Sequence, residues 1–417
     1  MRNRNVLISG AGPAGTTLAY WLRRHGFRPT VVERAPAPRD GGQAVDVRGA
    51  AIEVAGRTGV LNEFRQARTG TRGMSYVGST GKRLASLNAA FGVIDATDVE
   101  IVRGDLARIL HQATSDVEYI FGDFITGICE HADTVEVTFE RAPARAFDLV
   151  VGADGLHSNV RSLAFGPESP FIHHLGLYLA IFTTPNDLGL DHWQLIHAVP
   201  GKSVTITSAR ENTEARAIFF FASPPLNYDH HDTRQQQDIL ASAFSTEQWE
   251  VPHLLKAMRN APDFYFDSAS QVRMDNWSAG RVTLLGDAGY CPSPLSGQGT
   301  SLALVGAYVL ADALQAADGD HGAAFAAYQR RMRDFVARNQ QIAIGNAKRF
   351  IPQNRRQIWL QNRAIRALPY LPAKKLILDQ ATKGVREAAN AIALEESPSS
   401  RSPAASPTQP TRSTRQG

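Results

Sequence analysis

An α/β fold is predicted for this chain, with a parallel dinucleotide-binding sheet interrupted by a mostly β segment and closed by C-terminal helices. Three runs of sequence predict it. Val6-Leu7-Ile8, Leu149-Val150-Val151 and Val282-Thr283-Leu284-Leu285 are short and almost wholly apolar, and each leads into a glycine-bearing polar turn. Continuous rather than alternating apolar runs mark strands buried on both faces, as in a parallel sheet covered by helices. Between the second and third runs, from about Phe171 to Val272, the texture changes to alternating segments such as Ser203 to Thr207 and Ala215 to Phe221. These are joined by Asp, Asn, Gly and Pro turns, which predicts a second, separate sheet.

The first element is the most specific. Gly10-Ala11-Gly12-Pro13-Ala14-Gly15 follows the first strand, a helix runs from Thr16 to Arg24, and a second strand, Thr30-Val31-Val32, ends on Glu33. This order is the Rossmann-like βαβ fingerprint. Gly10 allows the tight turn, Gly12 lets backbone approach a diphosphate, and Gly15 lets helix and strand pack closely. The free N–H groups at the helix N-terminus then face the phosphates, and Glu33 is placed to accept from a ribose diol. A secretory-signal reading of Arg2, Arg4 and the apolar run fails, because Gly10, Pro13 and Gly15 interrupt the run and Arg23-Arg24 close it.

The remaining elements follow in order. A glycine-bearing loop, Gly41 to Gly49, leads into a helix at Ala50 to Gly56; another helix is expected at Arg103 to Ala113, with strands at Tyr119 to Phe121 and Thr134 to Phe139. The second apolar run ends at Asp154-Gly155 and the third at Gly286-Asp287, after which a Pro- and Gly-rich loop precedes a long apolar helix, Thr300 to Ala316. Helical patterns resume from Gly322 to Asn346 and around Gln357 to Glu395, broken by Pro352, Pro369 and Pro372. No internal repeat is visible. The division expected is a cofactor domain in two parts (1–170 and 273–346), a β-rich substrate domain (171–272), C-terminal helices (347–396) and a disordered tail (397–417).

Composition narrows the class. A chain of 417 residues is long enough for two domains around a sizeable core. No uninterrupted apolar run reaches the roughly 18 residues of a membrane span, and Leu302 to Leu314 contains Asp312. Cys129 and Cys291 stand far apart in unlike contexts, against a disulfide framework or a zinc site; a cytoplasmic location is expected. The Ser/Pro/Thr-rich tail carries Arg401, Arg412 and Arg415 without aromatic interleaving, a poor nucleic-acid footprint.

The three glycine-bearing elements together resemble the single-component FAD-dependent monooxygenases of the para-hydroxybenzoate hydroxylase type. Asp154 to Arg161 looks like that family's Asp-Gly motif. Arg281 to Asp287, with Pro292, Pro294 and Gly297-Gln298-Gly299, looks like its second FAD fingerprint, and Arg103 with Leu106 and Leu110 is similar to its helix start. Size and layout are closest to the tetracycline-inactivating and salicylate-type members. The resemblance implies FAD held by Gly10, Gly12, Ala14, Gly15, Glu33, Arg34, Asp46, Arg103, Gly286, Asp287, Pro294, Gly297, Gln298 and Gly299. Asp154 and Arg161 would serve FAD and a nicotinamide cofactor, with Arg39 toward the latter. It also implies NADPH or NADH as a transient co-substrate, since no second complete glycine fingerprint exists. Oxygen would then enter an aromatic or polycyclic polyketide-like substrate through a flavin C4a-hydroperoxide, with no catalytic protein residue and no metal. A Baeyer–Villiger or epoxidising variant, a dehydrogenase or reductase without oxygen insertion, and a non-enzymatic carrier are the alternatives; a monomer or homodimer is expected.

The chain departs from that family pattern in places. Many members carry a His after Gly-Asp-Ala, where this chain has Gly289-Tyr290, and no Trp-x-Trp halogenase signature occurs. Asp229-His230-His231-Asp232 has metal-like composition but adjacent rather than helically spaced ligands. Phe219-Phe220-Phe221 and Trp193 are expected to pack the core of the middle sheet.

Overall fold

The computed structural model describes residues 3–38, 41–88, 98–347, 350–372 and 374–394; Arg39 and the 397–417 tail lie outside them. Its centre is a six-stranded sheet in the order Ser278–Ala279, Val282–Leu284, Leu149–Gly152, Asn5–Ser9, Arg28–Glu33 and Glu118–Phe121. All neighbours are parallel except the first pair. The three apolar runs thus lie side by side, with Val6 opposite Leu149 and Val150 opposite Val282, and their glycine turns emerge at one end of the sheet. Ligands of open parallel sheets bind at that carboxyl end.

Helices cover one face. Pro13–Arg24, Ala50–Thr58, Gly299–Ala316 and His321–Ala347 pack there around Leu18, Leu22, Val54, Leu304 and Phe335. Among the described residues Gly299–Ala316 is the one helix long and apolar enough to cross a membrane, but it is the buried core helix of this layer. The other face is covered by a three-stranded sheet (Ile125–Glu130, Val135–Phe139, Arg145–Phe147) and the helix Asn159–Phe165, with Leu7, Val137, Val150 and Val160 between the layers.

The second sheet has seven strands, in the order Tyr265–Val272, Ile172–Pro185, Glu214–Ala222, Lys202–Ala209, Trp193–Val199, Gly73–Val77 and Arg83–Asn88. This corrects the expected division in one respect, since residues 73–88 pair with the insert rather than with the first sheet. Trp193–Val199 would otherwise be an edge with unmet backbone groups, and Gly73–Val77 lies parallel to it, Trp193 opposite Gly73. Alternation sorts its side chains. Tyr178, Ala180, Phe182, Phe219 and Phe221 face the helices Thr233–Phe244 and Val251–Met258, while Leu177, Leu179 and Ile181 face Leu295, Ala343 and Ile351 of the cofactor half. Phe219 and Phe221 are core residues, edge-on to Phe244; Phe220 points the other way, against Phe350.

Candidate functional site

At the glycine turn the structure separates the three glycines by what surrounds them. A Cβ built on Gly15 would lie 1.9 Å from the Gly10 carbonyl oxygen, and one on Gly10 would lie 2.5 Å from the Ala153 carbonyl. Gly12 has nothing within 4 Å. Gly10 and Gly15 are therefore required by the protein itself, whereas Gly12 leaves open a space that a ligand can enter. Gly12 also precedes a helix N-terminus with no side-chain cap, which leaves backbone donors and the positive dipole end free for an anion.

Glu33 braces this turn. Its carboxylate accepts from the backbone N–H of Ala11 and of Ala35, each at 2.8 Å. Arg34 lies exposed over the Phe124 ring, 4.4 Å from its centroid. Asp154 is half-buried and Arg161 fully buried, and both are engaged by neighbouring protein groups. Asp154 accepts from the Ser158 hydroxyl at 2.5 Å and the Val160 N–H at 3.1 Å, and contacts the Ser9 hydroxyl at 3.4 Å. Arg161 is fully buried and donates to the carbonyls of Ala288 and Leu156. It ties the second glycine turn to the third.

The third turn completes the cleft. Gly286 packs on Ala14, 3.2 Å from where a Cβ would stand, so the first and third turns touch directly. Gly297, Gln298 and Gly299 sit at the N-terminus of the core helix, again without a side-chain cap. Asp46 and Asp287 face them, each with a carboxylate oxygen 3.9 Å from where a Cβ would stand on Gly297 and Gly299, respectively. Burial pushes the Asp46 carboxyl up to about 6, although Arg48 at 2.9 Å opposes the shift. Asp287 is raised for the same reason, with Arg103 opposing, yet its side chain keeps an open surface. Its carboxylate is crowded by protein yet open to solvent. Pro294 is also exposed.

Gln298 supplies the sharpest observation. It is fully buried, and neither its amide oxygen nor its amide nitrogen has a hydrogen-bond partner. An unmet buried amide costs about 1–3 kcal/mol, so a polar ligand that fills it is the natural reason for its placement. The open space at Gly12, two uncapped helix N-termini, the accessible Asp287 and the unmet Gln298 fit a dinucleotide flavin lying across the sheet end.

Opposite stands the second sheet. Arg103 interacts electrostatically with both Asp287 and Tyr265, and its side chain packs against Gly42. Arg216, almost wholly buried, donates its Nε to the Gly42 carbonyl at 2.8 Å and one Nη to Glu214, leaving the other Nη unpartnered. By strand alternation Arg216 shares the cofactor-side face with Ile218 and Phe220. Arg216 and Tyr265 were not singled out in the sequence; alternation shows that a strand has two faces but not which one meets a cleft.

A second cluster joins the halves, and Tyr265 donates to its Asp267 at 3.1 Å. His157 bridges Glu168 at 3.1 Å and Asp267 at 3.2 Å, and His230 lies on its ring with centroids 3.8 Å apart. Burial disfavours charge on His157, but hydrogen bonds to Asp267 and Glu168 outweigh it and push the imidazole up to about 9. Donor atoms of His157, Glu168 and His230 lie within 4.8 Å of one another, a metal-like spacing. Both ring nitrogens of His157 are engaged by carboxylates, and Arg161 lies 3.4 Å from Glu168, so two cations meet two anions in an ion-pair cluster.

Gly289-Tyr290 also finds its reason here. Tyr290 is buried, with its hydroxyl 2.8 Å from that of Tyr328. It fills the space over Gly306, where a Cβ would come within 2.1 Å of the hydroxyl oxygen. Cys291 is buried and free, its thiol pushed up by burial.

A parallel sheet with glycine turns at its carboxyl end, opposed by a β-rich module across a deep cleft, defines a flavoprotein oxygenase fold. Comparison with known proteins agrees. The family profile described as FAD binding domain matches residues 3–343. A flavin-dependent monooxygenase of Legionella longbeachae is 42% identical over 351 residues, covering 84% of this chain and 90% of that protein. An uncharacterized protein of Mycobacterium tuberculosis is 50% identical over 347 residues, covering 82% and 93%. The crystal structure of tetracycline destructase Tet(55) superposes with a TM-score of 0.81 at 37% identity, covering 95% of this chain and all of that one. The chain belongs to the FAD binding domain family and, within it, to the flavin-dependent monooxygenases.

Proposed function

We propose that the protein uses NADPH or NADH to drive insertion of one oxygen atom from O2 into an aromatic or polycyclic polyketide-like substrate. FAD, when bound and reduced, supplies the activated oxygen. Gly12 and the Pro13–Arg24 helix N-terminus would hold its diphosphate; Asp46, Asp287, Gln298 and the second uncapped helix N-terminus would hold its polyol and ring. Positive dipole ends favour negative charge on whatever lies against them. The 172–272 segment, together with residues 73–88, would form the substrate module.

The observation that carries the reading is the pairing of surfaces across the cleft. Ile218, Phe220 and Tyr265 offer an apolar and aromatic wall, and Arg216 adds a buried donor suited to a phenolate or enolate oxygen. Similarity to a tetracycline destructase puts tetracyclines first among compounds to try. The test is oxygen and NADPH consumption by flavin-loaded protein with a panel of phenols, anthraquinones and tetracyclines, followed by product mass. Substrate-stimulated uptake with a gain of one oxygen atom is expected. Flavin reduction by an organic donor, without NADPH and without oxygen insertion, would replace the reading with a dehydrogenase.

A further inference from the structure

Large apolar side chains are exposed in very few places on this molecule, and most of those places adjoin one another. Of the ten such residues among those described, seven lie between 350 and 377: Phe350, Trp359, Leu360, Tyr370, Leu371, Leu376 and Ile377. Trp359 is 57% exposed and Tyr370 87% exposed. The same stretch is strongly basic. From Phe350 to Leu378 the sequence has four arginines and two lysines and no Asp or Glu, in a chain whose totals, 44 basic and 40 acidic, nearly balance.

The helix Arg355–Ala367 shows how the two properties share a surface. Its inner face carries Ile358 and Ile365, half-buried, and Gln361, which donates to the Tyr76 hydroxyl at 3.2 Å; Arg366, exposed and toward the edge of the outer face, donates through Nε to the Leu84 carbonyl. None of its residues is fully buried. At about 100° per residue, Arg355, Arg356, Trp359, Leu360 and Arg363 gather on the opposite side, all exposed. The Arg363 guanidinium lies 5.3 Å from the centre of the Trp359 ring. The following helix, Lys374–Ala389, has Leu376 and Ile377 exposed on its first turn.

Apolar patches rimmed by polar groups mark interaction surfaces. Cationic side chains flanking tryptophan and leucine on a helix lying flat suit one occupant best. Apolar side chains enter the acyl boundary, an indole sits at the headgroup level, and arginines meet phosphate. We propose that the outer face of residues 355–377 docks on an anionic lipid surface, holding the protein peripherally with no spanning segment. The charge complementarity excludes a basic partner and distinguishes the face from a core-type subunit contact, which is depleted in charge.

The test uses the full-length, flavin-loaded protein and vesicles of phosphatidylcholine with or without phosphatidylglycerol. Flotation with the anionic vesicles at low salt, loss at high salt, and a blue shift of tryptophan emission that disappears in Trp359→Ser are expected. Arg355→Glu with Arg356→Glu should cut anionic-vesicle binding about tenfold or more while flavin content and melting temperature stay unchanged, because both side chains are exposed. Equal binding to uncharged vesicles, undiminished binding by the double variant, or no flotation at low salt would each overturn the proposal. So would a stable dimer that Trp359→Ser with Leu360→Ser dissociates and that does not float.

Discussion

The two ends of the cofactor cleft are built by opposite means. At the end proposed for the diphosphate most groups are met by the protein: Gly10 and Gly15 are filled against by backbone, Glu33 and Asp154 are satisfied by neighbouring donors, and Gly12 faces empty space at an uncapped helix N-terminus. At the ring end the protein is unfinished. Gln298 has two unmet amide atoms, Arg216 one unmet Nη, and Asp287 is a desolvated carboxylate that still faces the cleft. One end therefore contributes to folding with or without ligand, while the other gives up stability that a ligand restores.

The comparison breaks first at Gly15. Gly15→Ala places a methyl against the Gly10 carbonyl and should destabilise the apoprotein by about 4 kcal/mol or more; a native melting temperature with full flavin absorbance would disprove the closed-turn account. The Cβ of Gly12→Val meets no protein atom within 4 Å, so the apoprotein should melt within about 1 kcal/mol of the parent while flavin retention falls at least a hundredfold. Parallel loss of both properties would erase the distinction between these two glycines. Asp287→Ala should also release FAD on gel filtration, with apoprotein stability within about 1 kcal/mol of the parent, because its side chain keeps an open surface.

Gln298→Leu sharpens the same point from the other side. Removing an unmet amide should raise apoprotein stability by about 1 kcal/mol and weaken FAD binding; a destabilised apoprotein would mean that Gln298 is satisfied without ligand.

At the ion-pair cluster the expected effect depends on pH. His157 titrates near 9 when folded against an ordinary value of 6.5, so its stabilisation is full below about 6.5 and fades as pH rises through 9. The melting difference between wild type and His157→Gln should be largest at pH 6, on the order of 2 kcal/mol, and small by pH 10. A pH-independent difference would remove the charge from the explanation.

This contrast also explains what was legible in the sequence. Backbone requirements force glycine at fixed spacing, so the turns at Gly10, Gly152 and Gly286 and the strands feeding them could be read directly. Asp287 and Gln298 were legible because they adjoin such glycines. Asp154 and Arg161 were recognisable as special residues, but only the three-dimensional neighbours show that they brace loops. Arg216 and Tyr265 reach the cleft through the pairing of distant strands, which local pattern does not encode, and the pairing of Gly73–Val77 with Trp193–Val199 was hidden for the same reason.

That last pairing bears on how the chain is made and how it can be re-engineered. During synthesis the hairpin at 73–88 leaves the ribosome well before Trp193 exists, and must wait with one edge unmatched while the intervening chain is built. The β-rich module cannot be transplanted as one contiguous cassette. A chimaera that exchanges this sheet with that of a relative must carry 73–88 along with 172–272, or it will join two mismatched edges in the middle of a sheet.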